Sequence, residues 1–294
     1  MGVSVSWSLF LQLLVNGLIL GSTYAAMAVS FGIIYATSRT FHLAHSVTYA
    51  VSGYVMVTLV VRLDVPLVVG GVIGIIGAII FGVVVDRLLY KPLRDHNAPT
   101  LGIFLASLAI VMAGQNLIQV IWGPEQQSLK SLSVKTLSAG PVSVTSMQLI
   151  AMGVCIVSIA AIAVFISKSR MGHAITAYRT NSETAVALGI SAPMVMGVVF
   201  AIGSALAGIV AFFDASVYTA SSTMGMAPVL YGFIGLFVGG INSILGATVG
   251  GFAIALLLSL SGLVFSQNIG VVLVFALLLV VLVVRPEGLV GKRA

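Results

Sequence analysis

Carboxylates are scarce in this chain. There are seven among 294 residues, Asp64, Asp86, Asp95, Glu125, Glu183, Asp214 and Glu287, and all are expected in loops or at the ends of apolar runs. Carriers driven by protons or sodium ions usually bury a carboxylate near the membrane midplane. This pattern therefore disfavours an ion-coupled carrier. Cysteine is nearly absent too: Cys155 stands alone inside an apolar run, so no disulfide forms within the chain and the residue reads as a small packing group. A nucleotide-binding loop is missing. The nearest match, Gly288-Leu-Val-Gly-Lys292, has its glycines three apart and Arg293 after the lysine, whereas phosphate needs Gly-x-x-x-x-Gly-Lys-Ser/Thr. No set of residues pairs a nucleophile with a base. His42 and His45 are three apart and would share a face if helical, but they have no neighbouring carboxylate or thiol, so they make a poor metal site. The start is not that of an ordinary signal peptide, since nothing basic precedes Leu9 and the apolar run continues far beyond 15 residues.

What is present is hydrocarbon. The chain is 60% hydrophobic and 7% charged, against roughly 25% charged in soluble domains. A bilayer span takes about 20 apolar residues. The runs Leu9–Tyr35, His42–Val61, Pro66–Val85, Thr100–Ile121, Met147–Ser167, Pro193–Phe213, Val229–Gly240, Ala247–Phe265 and Ile269–Val284 reach or approach that length. They are continuous rather than alternating, so they read as helices and not as barrel strands. The expected fold is an all-α polytopic membrane protein of about 8–10 transmembrane helices, some broken or re-entrant, with residues 1–294 as one domain. Val229–Gly240 is the weak point, because twelve residues are too short for a straight crossing. Glycine or serine pairs at four-residue spacing, such as Gly235 with Gly239 and Gly246 with Gly250, imply close helix packing.

The net charge of +6 does not indicate nucleic acid in this setting; it indicates orientation. In a nine-crossing arrangement Arg39, Arg87, Lys91, Arg94, Lys168, Arg170, Arg179, Arg285, Lys292 and Arg293 share one side, ten of the thirteen basic residues. That side is the cytoplasm, and the C-terminus lies there. The loop Trp122–Ser146 faces outward and carries the makings of a small hairpin around Gly140-Pro141.

The polar interruption at 168–192 stands out. Thr180 and Glu183 fit a capping box for a helix starting at Asn181, and Gly189 is placed to end it. Ala185, Val186 and Leu188 give that helix a small apolar face. Two turns are too few to be stable alone in water, so the bundle or a partner must support them. A second polar stretch, Ser38 to Ser46, joins two apolar runs. For His42 two readings stand: it lines a solute path, or it caps a helix at headgroup level. His45 reads as a structural hydrogen-bonding residue.

Five motifs in order resemble a known family. They are Asn16-Gly-Leu-Ile-Leu-Gly-Ser-Thr-Tyr24, Ala44-His45, the stretch Arg170 to Asn181 continued by Glu183 to Gly189, Gly239-Gly-Ile-Asn-Ser-Ile-Leu-Gly246, and Val284-Arg-Pro-Glu-Gly-Leu289. Together they resemble the inner-membrane permeases of branched-chain amino acid ABC importers, specifically the shorter, LivH-like subunit. The resemblance implies a multi-pass protein of the bacterial inner membrane that is no enzyme and binds no cofactor itself. It implies a second, LivM-like permease, two ATPase subunits holding ATP and magnesium, and a periplasmic or lipid-anchored solute-binding protein. In that setting Gly172, Thr180, Asn181, Glu183, Ala185, Leu188 and Gly189 form the element coupled to an ATPase. Asn16, Thr23, Tyr24, His42 and Ser46 are the expected path residues. Where the family commonly has Asn-Phe-Ala-His-Gly, this chain has His42-Leu-Ala-His-Ser46. The cargo is expected to be an amino acid, while similar-looking systems carry urea, short amides or aromatic acids. A carrier or channel acting alone is the rival reading.

Overall fold

The computed structural model describes residues 7–129, 135–265 and 267–290. Twelve helices and one hairpin follow in order: α1 (Trp7–Ser38), α2 (His45–Arg62), α3 (Leu67–Val85), α4 (Lys91–Asp95), α5 (Thr100–Trp122), β1 (Thr136–Ala139), β2 (Val142–Thr145), α6 (Ser146–Lys168), α7 (Arg170–Thr180), α8 (Ser182–Ala187), α9 (Ala192–Val217), α10 (Met226–Gly239), α11 (Ile244–Ser261) and α12 (Gln267–Val284). Each of the nine apolar runs has become one of these helices. Among the described residues six helical stretches are long and apolar enough to cross a membrane: α1, the α3–α4 stretch Leu67–Asp95, α5, α6, α9 and α11. The protein is an all-α polytopic membrane protein. Lys292 and Arg293, counted above for orientation, lie outside the described residues.

α10 has fourteen residues, about 21 Å at 1.5 Å per residue, short of a ~30 Å hydrocarbon core. It is separate from α11, which begins after a tight turn. Ser243 caps α11 by accepting from the Gly246 amide at 3.0 Å.

Residues 86–95 are not the loop expected from their charges. α3 runs on through a π-helical turn at Asp86–Tyr90 into α4. Pro92 sits in the first turn of α4. Proline has no amide hydrogen and its ring crowds the carbonyl a turn earlier, so the helix widens instead of breaking. The Lys91 amide donates to the Asp86 carbonyl across that wider turn. This keeps Asp86 on a helix, where it is buried and paired with Arg94 at 2.6 Å. Asp214 is likewise on a helix, close to the end of α9, and accepts from the Tyr49 hydroxyl at 2.9 Å.

The chain packs as two compact units. One comprises Met1–Gly32, Leu132–Ile159 and Leu230–Ala294; the other comprises Ile33–Ser131 and Ala160–Val229. In the first, Tyr24, Ile234, Val238, Ile254, Ala255, Val274 and Val281 form an apolar core. Here α10 and α11 touch backbone to backbone. A methyl group at Gly250 would strike the Gly235 carbonyl, and one at Gly239 would strike the Gly246 carbonyl. The small-residue pairs in the sequence are thus a contact surface between two helices, the geometry such spacing permits. The hairpin β1–β2 also belongs to this unit, pairing Thr136 with Thr145 and Ala139 with Val142 around Gly140-Pro141.

In the second unit α2, α3 and α9 pack closely, with Tyr49, Tyr54, Tyr90, Phe200 and Leu206 fully buried. The Ser52 hydroxyl donates to the Gly208 carbonyl at 3.2 Å, and the Trp122 indole donates to Thr58 at 2.6 Å. Such bonds satisfy polar groups that lipid cannot. By contrast, α5 and α6 are mostly exposed, whereas α1 is mostly buried. Their exposed Leu105, Met112, Val120, Val157 and Val164 present the surface that suits acyl chains.

Candidate coupling element and solute path

The 168–192 interruption folds as two helices rather than one. Ser169 ends α6 and opens α7, its hydroxyl accepting from the Gly172 amide at 2.9 Å. Gly172 lies in a tight corner, where a side chain would strike the Phe165 and Ile166 carbonyls. α7 then runs through Thr180, whose hydroxyl donates back to the Thr176 carbonyl at 2.9 Å. Thr180 therefore does not cap the next helix. Asn181 does, in extended conformation, with its side-chain oxygen accepting from the Thr184 amide at 2.9 Å. The expected capping box fails because helical backbone extends one residue further than its pattern allows. Asparagine caps at least as well as threonine.

The far end of α8 closes as the sequence indicates. Gly189 has φ +89°, a left-handed conformation that costs glycine little. Its amide donates to the Val186 carbonyl at 2.9 Å, and the Ile190 amide donates to the Ala185 carbonyl at 3.0 Å. These two bonds are a Schellman closure. Ala185 is buried, while Val186 and Leu188 are 51% and 79% exposed. Glu183 is exposed in the first turn, where its charge suits the helix dipole. The half-buried Arg179 lies near Arg39; burial first, and then the Arg39 charge, lower its pKa from the ordinary arginine value. α8 is thus a six-residue helix fixed at both ends with two large apolar side chains turned outward.

The expected path residues divide between the two units. Asn16, Thr23 and Tyr24 lie on α1 in the first. Asn16 and Thr23 are half-buried, and Tyr24 is buried against Tyr231 with ring centroids 5.1 Å apart. Asn16 is tied to Gln12, a residue that sequence reasoning passed over. Gln12 Nε2 donates to Asn16 Oδ1 at 2.9 Å and to the Ser143 carbonyl of β2 at 3.0 Å, while Gln12 Oε1 accepts from the Ser143 amide at 2.8 Å. The available signal was two amides one turn apart inside an apolar helix.

His42 and Ser46 lie in the second unit. His42 is fully buried, with Nδ1 2.9 Å from the Tyr90 hydroxyl. Tyr90 donates to the Ser107 hydroxyl at 2.8 Å, and Ser107 also accepts from the Ala44 amide at 3.0 Å. The tautomer of His42 sets whether its Nδ1 donates to the Tyr90 oxygen or accepts from it. This network pins the 39–44 connector between α5 and the π-helical turn. Ser46 is buried, its hydroxyl donating to the Leu43 carbonyl at 3.0 Å. Among the described residues no group of three or more histidine, cysteine or acidic side chains is placed to hold a metal.

Known proteins are similar to this chain over nearly its full length. The family described as branched-chain amino acid transport system / permease component matches residues 13–282. The high-affinity branched-chain amino acid transport system permease protein LivH of Salmonella typhimurium is 31% identical over 300 residues, covering 96% of each chain. LivH of Escherichia coli K12 is 30% identical over 297 residues, again 96% of each. The corresponding protein BraD of Pseudomonas aeruginosa is 29% identical with the same coverage. Among solved structures, PsaBC from Streptococcus pneumoniae in complex with Fab aligns with a TM-score of 0.52 at 15% identity, over 94% of this chain and 92% of that one. This last likeness concerns the fold alone.

Proposed function

This chain belongs to the permease-component family of branched-chain amino acid transport systems, and from that premise we propose that it forms part of the membrane path of an ATP-binding-cassette importer for a branched-chain or closely related amino acid. The protein is a transport subunit and not an enzyme. Its partners in this reading are a second permease of LivM type, two ATPases that hold ATP and magnesium, and a solute-binding protein outside the bacterial inner membrane. The basic residues of the α3–α4 stretch, α7 and the C-terminal segment face the cytoplasm, and the N-terminus faces outward, in keeping with the asymmetry of basic charge.

One observation carries the proposal. α8 is closed at both ends by hydrogen bonds, yet it turns Val186 and Leu188 away from its own bundle. A marginal two-turn helix with an outward apolar face gains most of its stability from what it docks on. An ATPase groove supplies that partner, and the sequence holds no nucleotide-binding loop of its own. Gly172 and Gly189 set the bend and the stop of the element, Asn181 caps it, and Ala185 anchors it inward. Asn16, Thr23, Tyr24, His42 and Ser46 are proposed to border the path.

Affinity purification of the chain from its native membrane tests the assembly. Two ATPase subunits, counted together, are expected for each pair of permeases. Recovery of the chain with no ATPase in any ratio contradicts the reading and favours a carrier acting alone.

A further inference from the structure

Two of the sequence motifs, 239–246 and 284–289, meet in space, and backbone alone joins them. α10 ends at Gly239, and the last four carbonyls of a helix find no amide within it. The Gly240 amide meets the Leu236 carbonyl at 2.8 Å. Two others are met by the segment that follows α12. The Leu289 amide donates to the Val238 carbonyl at 2.8 Å, and the Val290 amide donates to the Gly239 carbonyl at 3.0 Å.

Residues 285–290 are shaped for this contact. The Gly288 amide donates to the Arg285 carbonyl at 2.8 Å, and Gly288 takes φ +84° where the chain turns onto α10. Gly288 is buried, and a side chain on it would strike the Gly240 backbone. Glycine is thus required twice, by conformation and by space. On the other flank Gly239 lies against Gly246 at the start of α11. Both contacts are backbone on backbone.

The position fixed there is carried along α10. Tyr231, Ile234 and Val238 follow at spacings of three and four residues, so they share one face. Ile234 and Val238 enter the core that holds Tyr24 and Val281 of α12. Tyr231 packs on Tyr24 itself. It lies about 12 Å from Gly239 along the helix, at 1.5 Å per residue. All these residues belong to the first unit.

We propose that the two motifs act as one clasp in which Gly288 is the positioning residue: it turns the 285–290 segment onto the end of α10 and so fixes where Tyr231 holds Tyr24 against the solute path. This rests on the importer reading above and on the place of Tyr24 in it. It assigns the path a support that is distant in sequence and touches no solute.

The test is the number of ATP molecules hydrolysed per leucine imported by the complete complex in liposomes, with leucine-loaded binding protein in excess. Gly288→Ala is expected to raise that ratio about tenfold, the scale of one non-glycine residue forced into the left-handed region. Val290→Pro removes one donor and leaves Gly288 as it is. It is expected to raise the ratio about fivefold, the scale of one lost hydrogen bond. A smaller number of folded complexes would lower hydrolysis and uptake together and leave the ratio unchanged. Tyr231→Leu should raise the ratio by itself, and Gly288→Ala added to it should then change little, because the clasp acts through that ring. An unchanged ratio in both clasp variants overturns the proposal. So does a full further rise when Gly288→Ala is added to Tyr231→Leu, since Gly288 would then act by another route. Failure of both clasp variants to assemble with the ATPases also overturns it, because the clasp would then serve the fold and not the path. An unsubstituted complex that imports no leucine at all contradicts the importer reading itself, and this proposal with it.

Discussion

Leu188→Asp is expected to lower solute uptake by at least roughly thirtyfold, the size of a single hot-spot loss of about 2 kcal/mol, while the chain still folds and enters the membrane. Leu188 is 79% exposed, so the substitution removes almost no packing within the chain. Its cost falls on whatever covers the side chain in the assembly. An aspartate there carries a charge into an apolar contact and cannot be paired by Val186 beside it. ATPase activity stimulated by loaded binding protein should fall together with uptake, and solute capture by the binding protein should be unchanged. Substituting the buried Ala185 by aspartate would not separate these effects, because it would damage the anchoring of α8 as well. Full uptake by the Leu188→Asp complex would remove α8 from the coupling route.

The largest expected effect on folding comes from Arg94→Met. Asp86 has 2% of its side chain exposed, and its Oδ1 lies 2.6 Å from Arg94 Nη2. Removing the guanidinium strands a buried carboxylate. The expected loss is about 3 kcal/mol, at the lower end of the range for breaking a buried pair. Arg94 keeps 21% of its side chain exposed, and water entering there softens the loss. Adding Asp86→Asn to the same chain removes the uncompensated charge and should restore most of the stability. Thermal unfolding of the purified protein in detergent measures both. A single variant as stable as the unsubstituted protein would show that the pair contributes little.

Much of this architecture is legible in the sequence, because lipid makes the backbone rule strict. A long apolar run has to be a helix there, and all nine runs are helices. The glycine spacing of α10 and α11 reads directly as close packing, since a side chain at Gly239 or Gly250 would meet the neighbouring backbone. Gly189 reads as a helix stop and is one. Errors appear where local signals compete. Thr180 and Asn181 are both good caps, and the choice between them depends on how far α7 extends, which a polar sequence does not reveal. The charged stretch 86–95 reads as a loop, yet a π-helical turn carries the helix through it and past Pro92. The Gln12–Asn16 link was out of reach for another reason. Its orientation depends on Ser143, 131 residues away in sequence, and no local pattern encodes that pairing.

The position of His42 shows the same limit. Its setting between two apolar runs identifies a polar junction, but its partners Tyr90 and Ser107 come from the π-helical turn and from α5. Only the fold brings them together. The result is a fully buried hydrogen-bonded network around His42.

The most direct test of the central claim is leucine uptake into liposomes prepared in two ways. One preparation holds this chain alone. The other holds it with the second permease and both ATPases, with ATP on the ATPase side and loaded binding protein on the other. The account predicts uptake only in the complete assembly and only with ATP that can be hydrolysed. Uptake of similar rate by the chain alone, without ATP, would contradict it.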